Sequence, residues 1–299
     1  MLGAQLAIGA AAIFARFALA GAGPFAVSAL RLGIATLAVL ALGRTFGRLP
    51  ARKEFAFACA GIALAIHFAA WIASLEYTSV AISTLLVTTT PLWTEAYDAL
   101  RERRMPSATY TIAMSAALAG VAAIAGARGL RAPPIPGHVL LGDALALCGS
   151  FAIGAYLLIV RDAGKAGTGR LPTRTIVVRT YGWATLVLAI GALRTSEWPP
   201  ELSDASAWAG ILAMALVSQL LGHTALNAAL RDFTPSIVAM TTLLEPVFAA
   251  LFAALIFHET LSVQTAIGGV LVLAALGIVL RETRNDEAAG PPLSAEILS

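Results

Sequence analysis

The chain has 299 residues, of which 59% are hydrophobic and 12% are charged, with a formal net charge of +3 at pH 7. An average soluble domain carries about 25% charged residues, so this composition excludes a soluble globular protein and predicts an integral membrane protein. The small positive charge does not predict a nucleic-acid partner, because basic loops beside anionic lipid account for it.

Ten apolar stretches are long enough to cross the hydrocarbon core of a bilayer, which takes roughly 17 to 25 helical residues. We expect an all-α integral membrane fold with ten transmembrane helices, numbered spans 1 to 10 in chain order. The spans are Leu2–Ala22, Pro24–Gly43, Phe55–Leu75, Val80–Leu100, Ala108–Ala127, Val139–Val160, Ile176–Leu193, Ala207–Ala228, Pro235–Phe257 and Val263–Leu280. Little sequence remains between them, so we expect the helices themselves to perform the function.

Lysine and arginine are distributed unequally between the two sets of connections. Fourteen of the 20 basic residues fall on one side, whereas the opposite set contains only Arg128, Arg131 and Arg194. Basic residues concentrate in cytoplasmic loops of membrane proteins. We therefore expect both termini to lie in the cytoplasm.

Two segments of the chain, His67–Pro91 and His223–Pro246, repeat one pattern. An offset of 156 residues aligns their histidines and takes Trp71 onto Asn227, and a slip of one residue then aligns the two prolines. Because five spans separate equivalent positions, the second copy runs through the bilayer in the opposite direction. Many secondary transporters are built from such inverted repeats, with substrate bound near the midplane between them.

The repeat also predicts the division of the chain. We expect residues 1–131 to form the first inverted repeat with spans 1 to 5, residues 132–281 to form the second with spans 6 to 10, and residues 282–299 to form a disordered cytoplasmic tail. A weaker similarity joins spans 2 and 7, around Arg31 and Arg179. The two halves meet in a segment rich in proline and glycine.

Spans 3 and 8 each carry a pair of polar or aromatic candidates for substrate binding. The pairs are His67 with Trp71 and His223 with Asn227, and a separation of four residues places both members on one helix face. Polar groups at this depth face a wet cavity or bond one helix to another. Both interpretations stay open, and the symmetric placement favours the cavity.

Spans 4 and 9 each contain a proline in their interior, Pro91 and Pro246. Proline removes a helical hydrogen bond and frees the carbonyl four residues earlier, here those of Val87 and Thr242. Thr90 precedes the first proline and adds a polar side chain at the break. We expect these spans to be gating elements, and kinks that only improve packing are the alternative.

Glu245 is the only acidic residue in the central third of any span. A carboxylate at this depth is a candidate for proton coupling or for contact with substrate. The alternative is a permanent partner for Arg16 or Arg179. The sequence does not decide whether protons are coupled to transport.

Aromatic residues inside the spans are few, and they include Phe14, Trp93 and Tyr156 in addition to Trp71. If they converge beside polar groups, they suit a flat apolar ligand with a charged head. A single aromatic residue usually serves packing, so only a cluster is informative.

Catalytic and cofactor motifs are incomplete. The segment that begins with His258 and Glu259 has serine at its fifth position and lacks the second zinc ligand of H-E-x-x-H, and no Walker motif occurs. We therefore predict no catalytic residue, metal or cofactor. A membrane enzyme remains the alternative with the least support.

The segment Thr241–Leu280 resembles the second repeat of EamA-type carriers of the drug/metabolite transporter superfamily, with a Glu-Pro pair, Glu259-x-Leu261 and a glycine-rich last span. The first half fits the same pattern less closely, because Arg104 stands where the family commonly has glutamate. The resemblance implies a ten-helix inverted-repeat exporter of metabolites in a bacterial inner membrane. A narrower similarity to YddG-like exporters implies aromatic amino acids as substrates.

Together these patterns predict a secondary transporter that exports small metabolites by alternating access, with aromatic or large apolar amino acids as substrates. An exporter of cationic toxic compounds, neutralised by Glu245, is the alternative. The predicted substrate-binding residues are Phe14, His67, Trp71, Thr90, Trp93, Tyr156, His223, Asn227 and Glu245, and the predicted gating residues are Pro91 and Pro246.

Overall fold

The computed structural model describes six segments of the chain, which are residues 1–43, 47–127, 137–166, 169–198, 203–257 and 262–289. Some predictions fall outside these residues. They are the boundary between the two halves, the basic residues Arg128 and Arg131, and the incomplete zinc motif at residues 258–261.

Within the described segments the fold is helical apart from one short antiparallel strand pair, β1 (Lys165–Ala166) and β2 (Gly169–Arg170). The α-helices are α1 (Leu2–Gly9), α2 (Ala11–Ala18), α3 (Pro24–Ala41), α4 (Ala51–Tyr77), α5 (Val80–Val87), α6 (Thr90–Glu102), α7 (Ala108–Ala127), α8 (Val139–Ala163), α9 (Thr173–Arg194), α10 (Ala205–Ala213), α11 (Thr224–Ala229), α12 (Pro235–Thr241), α13 (Glu245–Phe257) and α14 (Val263–Ala289). A π-helix (Met214–His223) joins α10 to α11, and a 3-10 turn (Thr242–Leu244) joins α12 to α13.

The described residues contain seven helical units that are long and apolar enough to cross a membrane. Two shorter apolar helices, Leu2–Ala18 and Ala108–Ile124, lie within predicted spans 1 and 5. Large apolar side chains also lie on the outer surface, such as Leu140 at 84% and Val270 at 65% exposure. This exposure suits contact with lipid, so the all-helical membrane fold expected from composition is confirmed.

Four of the expected spans are not regular helices. Span 1 is interrupted at Ala10, span 4 breaks at Thr88 and Thr89, span 8 contains the π-helix, and span 9 contains the 3-10 turn. Broken helices occur at membrane depth where protein or a cavity satisfies the freed backbone groups. Hydropathy reports only length and apolarity, so it did not reveal the breaks in spans 1 and 8, whereas Pro91 and Pro246 predicted the breaks in spans 4 and 9.

The two proline breaks satisfy their freed carbonyls in different ways. Pro91 lies in the first turn of α6, and the Thr90 hydroxyl donates a 2.9 Å hydrogen bond to the Val87 carbonyl oxygen. Pro246 follows Glu245 at the start of α13, where the Glu245 backbone N–H donates to the Thr242 carbonyl oxygen. Proline is tolerated in the first helical turn because its missing N–H has no intrahelical partner there.

Spans 4 and 9, which contain the proline breaks, also begin with equivalent helix caps. The Ser79 side chain accepts a hydrogen bond from the Ile82 backbone N–H at the start of α5, and the Thr234 side chain accepts one from the Ile237 N–H at the start of α12. Such caps satisfy a backbone donor that the first helical turn leaves free. Spans 4 and 9 therefore start, break and resume in the same order.

The helix contacts follow a twofold pattern. When each of spans 1 to 5 is exchanged with its counterpart among spans 6 to 10, the same pairs of spans are in contact. Helix α4 of span 3 packs against α8 of span 6, and the π-helix and α10 of span 8 pack against α1 and α2 of span 1. Helix α3 packs against α9, and α7 packs against α14, which joins spans 2 with 7 and 5 with 10.

Glycines allow the closest of these helix contacts. A Cβ atom at Gly120 of α7 would lie 2.6 Å from the Gly268 carbonyl oxygen of α14, and a Cβ atom at Gly268 would lie 2.5 Å from the Gly120 carbonyl oxygen. Small residues let membrane helices approach to backbone contact, where van der Waals packing holds them together. The pair of glycines therefore determines how closely spans 5 and 10 approach.

The last helix is longer than expected. Helix α14 continues to Ala289, so residues 282–289 extend span 10 and do not belong to a disordered tail. The physical reason is that Gly290 is the first glycine or proline after Leu280. Residues 290–299 lie outside the described residues.

Candidate functional site

A cavity lies where helices of both halves meet, and with its mouth it holds about 640 Å³ that protein atoms do not fill. Seven of the ten predicted spans contribute to its wall. The lining residues are Ile8, Ala11, Arg31, His67, Phe68, Trp71, Val87, Thr88, Thr90, Ile153, Tyr156, Leu157, His223, Leu226, Asn227, Thr242 and Glu245.

Most of the residues predicted from the sequence to bind substrate line this cavity. They are His67, Trp71, Thr90, Tyr156, His223, Asn227 and Glu245. They come from five spans and from both halves of the chain. The structure therefore brings together side chains that are as many as 178 positions apart in the sequence, from His67 to Glu245.

Two predicted residues do not line the cavity. Phe14 lies on α2 at the contact with α10, where a Cβ atom at Gly210 would meet its carbonyl oxygen at 2.6 Å. Trp93 lies along α8, because its indole N–H donates to the Ser150 hydroxyl at 3.1 Å and its ring meets Phe151 edge-on. The Trp93 side chain therefore serves a helix contact, and Phe14 packs against the hydrophobic core. Apolar sequence alone does not distinguish these positions from a cavity wall.

The two histidines of the repeat, His67 and His223, lie near each other in the cavity wall, with ring centroids 6.5 Å apart. The His67 Nδ1–H donates to the Gly149 carbonyl oxygen at 2.9 Å, and this bond fixes the ring orientation. A neutral imidazole with its proton on Nδ1 presents Nε2 as a hydrogen-bond acceptor. The His67 ring also lies parallel to Trp71, with centroids 6.4 Å apart.

The second polar pair forms a buried hydrogen-bond network between spans 6, 7 and 8. The Tyr156 hydroxyl donates to Asn227 Oδ1 at 2.7 Å, and Asn227 Nδ2 donates to the His223 carbonyl oxygen at 2.9 Å. The Tyr181 hydroxyl lies 3.5 Å from Asn227 Nδ2. These bonds hold the Tyr156 ring in the cavity wall, where it presents a flat apolar face.

Arg31 is a cavity residue that was not among those predicted from the sequence. Its side chain is fully buried in the middle of α3, and it contributes the only arginine or lysine of the cavity wall among the described residues. Ionisable residues within membrane spans are rare and face the bundle interior. Arg31 fits this rule, so its position inside an apolar span was a signal in the sequence for a site residue.

Glu245 lines the same cavity as Arg31, and the two side chains form no salt bridge. The partners suggested from the sequence were wrong. Arg16 is exposed, and Arg179 donates to Glu54 at 2.8 Å and to the Gly47 carbonyl oxygen. Among its described residues, the cavity wall therefore contains one partly buried acid and one fully buried base, on opposite halves of the chain.

Metal-ligating side chains do not cluster in the described part of the chain. No group of three or more histidine, cysteine, aspartate or glutamate residues is found there in an arrangement that could hold a metal ion. The two cysteines of the sequence, Cys59 and Cys148, are both free.

Comparison with known proteins identifies the family. A model of the EamA-like transporter family matches residues 1–126 and 140–281, one match for each half of the chain. The chain belongs to the EamA-like transporter family. EamA-like proteins are small-molecule transporters of the drug/metabolite superfamily and not enzymes, so this chain is a membrane transporter of small molecules.

Solved structures agree with the EamA-like fold. Twenty-nine chains of known structure match, and one of them, described only as the crystal structure of a protein, has a TM-score of 0.76 and 17% sequence identity. That match covers 95% of this chain and 96% of the other. At this identity the likeness shows the fold alone. No curated protein matches the chain.

Proposed function

We propose that this EamA-like transporter exports amino acids with aromatic or large apolar side chains by alternating access. The observation that carries the proposal is the convergence of His67, Trp71, Tyr156, Asn227 and Glu245 on one cavity between the halves. Substrate sites of inverted-repeat transporters lie near the midplane at this junction.

The proposal includes ten spans in two inverted halves, residues 1–131 and 132–281, in a bacterial inner membrane with both termini in the cytoplasm. The twofold pattern of helix contacts supports the inverted arrangement, because a twofold axis in the membrane plane would relate each contact to its counterpart in the other half. The excess of arginine and lysine on one set of connections supports the orientation.

The wall of the cavity suits a zwitterion that bears a ring. Trp71, Tyr156, Phe68 and Leu157 provide aromatic and aliphatic surface, and Glu245 provides a negative charge for an ammonium group. The alternative, a transporter of cationic toxic compounds, is less well supported because the fully buried Arg31 places a positive charge in the same cavity.

Flux into proteoliposomes tests this function. We expect purified protein to exchange internal unlabelled phenylalanine for external labelled phenylalanine at least about tenfold faster than protein-free vesicles. Leucine should compete, and glycine should not, because it has no side chain to occupy the apolar wall. Repeating the measurement with and without a pH gradient determines whether protons are coupled. Absence of flux for every amino acid would contradict the proposed substrate.

We further propose that spans 4 and 9 open and close the pathway by bending at Pro91 and Pro246. Ion pairs link the end of span 4 to the end of span 6 on the side with most basic residues. Arg161 Nη1 donates to both oxygens of Asp98, at 2.7 and 2.9 Å, and Arg101 donates to Asp162 at 2.7 Å. The first pair is mostly buried and joins the two halves, so it would stabilise closure on the cytoplasmic side.

Asp98→Asn is expected to favour opening on that side by about tenfold, because a hydrogen bond to a charged group contributes about 1.5 to 3 kcal/mol. The measurement is the rate at which an impermeant maleimide labels Thr88→Cys in the cavity of inside-out vesicles, with Cys59 and Cys148 replaced by alanine. Glu102→Gln is the matched control, since the Glu102 pair with Arg104 is exposed. Equal labelling rates for the two variants would exclude a gating role for Asp98.

A further inference from the structure

The guanidinium group of Arg31 is buried in the protein with most of its hydrogen-bonding capacity unused. Its Nε–H donates to Gln219 Oε1 at 2.8 Å, and its carbon lies 4.1 Å from the centroid of the Phe68 ring. Its two terminal nitrogens, Nη1 and Nη2, have no hydrogen-bond partner among the described residues. Four of its five N–H donors are therefore free.

These free donors belong to a residue that lines the cavity and that has no exposed surface. A buried charge is strongly unfavourable unless it is paired and hydrogen-bonded. The two contacts that Arg31 does make, with Gln219 and Phe68, hold the planar group in one orientation. The side chain is thus fixed in place before a ligand arrives.

The wall of the cavity does not supply the missing acceptor. Glu245 is the only acidic residue among the described lining residues, and it forms no salt bridge with Arg31. The indole Nε1–H of Trp71 is a second buried donor without a partner in the described part of the chain, and it lines the same cavity. Buried donors without partners at Arg31 and Trp71 are complementary to a ligand that brings acceptors.

We infer that Arg31 binds the carboxylate of the transported molecule through Nη1 and Nη2, and that the substrates are therefore carboxylates. Two parallel N–H donors match the two oxygens of a carboxylate, and such bidentate pairs are among the strongest hydrogen bonds in proteins. The inference rests on the proposed transport of amino acids and names the group of the substrate that Arg31 recognises.

The test begins with the unaltered protein and varies the ligand. Labelled phenylalanine flux into proteoliposomes is measured in competition with phenylalanine, phenylalaninamide, 3-phenylpropionate and phenethylamine. We expect each loss of the carboxylate to weaken competition at least about tenfold. If phenylalaninamide competes as well as phenylalanine does, the inference is wrong, whatever any variant shows.

Variants then assign the preference to a residue. Arg31→Gln should lower phenylalanine flux at least about tenfold and reduce the preference for acid over amide to about twofold or less, and Arg31→Lys should keep part of the preference because it keeps the charge. Arg179→Gln is the matched control, because Arg179 is the repeat counterpart and lies outside the cavity wall. A folded Arg31→Gln protein that keeps the full preference would overturn the assignment.

A third measurement separates this inference from the proposed function. If no amino acid is transported, thermal stabilisation of the purified protein is compared for 3-phenylpropionate and its amide. Greater stabilisation by the acid, lost in Arg31→Gln and kept in Arg179→Gln, supports the carboxylate site even though the amino-acid proposal has failed. Equal stabilisation by both compounds contradicts the carboxylate site itself.

Discussion

Glu245→Gln is expected to lower amino-acid counterflow by about 100-fold while the protein remains folded. Glutamine has nearly the same shape but no charge, so the ammonium group of the substrate and the buried Arg31 both lose the only acid of the described cavity wall. Losing a hydrogen bond to a charged group costs about 1.5 to 3 kcal/mol, and about 1.4 kcal/mol corresponds to a factor of ten.

The measurement is counterflow of labelled phenylalanine in proteoliposomes, with protein amount matched by size-exclusion chromatography. Glu102→Gln is the control, because it makes the same chemical change on an exposed side chain of α6. A variant that retains counterflow but loses accumulation driven by a pH gradient would reassign Glu245 to proton coupling. Full retention of both activities would exclude any role for Glu245 in transport.

Gly268→Val is expected to destabilise the fold by about 3 kcal/mol, because a Cβ atom at this position would lie 2.5 Å from the Gly120 carbonyl oxygen and 2.8 Å from an Ile124 side-chain carbon. Helices α7 and α14 must then separate along spans 5 and 10. For a protein of this size we expect the melting temperature to fall by about 5 to 10 °C.

The measurement is the temperature at which the detergent-solubilised protein loses its monodisperse elution peak. Gly277→Val, on the same helix, is the matched control, since a Cβ atom there meets nothing within 4 Å. The two variants differ only in what the new side chain contacts. Similar melting temperatures would show that the contact between α7 and α14 does not depend on glycine.

Much of the fold followed from hydropathy, because a bilayer imposes a minimum length of apolar helix. The prediction Phe55–Leu75 falls inside helix α4, and Ile176–Leu193 falls inside α9. The breaks in spans 1 and 8 did not follow, because no proline marks them and a single glycine such as Gly9 or Gly222 is common inside membrane helices. The backbone geometry at these breaks depends on how the neighbouring helices pack against them.

The site was predictable to the extent that polar residues occupy apolar spans. His67 and Trp71, four residues apart, share a helix face as the sequence indicates, and both line the cavity. Phe14 and Trp93 were not separable from them by sequence, since an aromatic side chain suits a helix contact and a cavity wall equally well. Packing against the hydrophobic core positions Phe14, and the hydrogen bond to Ser150 positions Trp93.

The amino-acid sequence by itself determined that this protein spans a membrane, that it is built from two related halves, and which spans carry polar side chains at depth. These properties depend on composition and on the spacing of residues, both of which can be read from the order of residues in the chain. Only the tertiary structure decided that Arg31 and Glu245 share one cavity. A cavity forms where helices that are distant in sequence do not pack fully against one another. Whether the terminal nitrogens of Arg31 have hydrogen-bond partners depends on the positions of all the side chains around them.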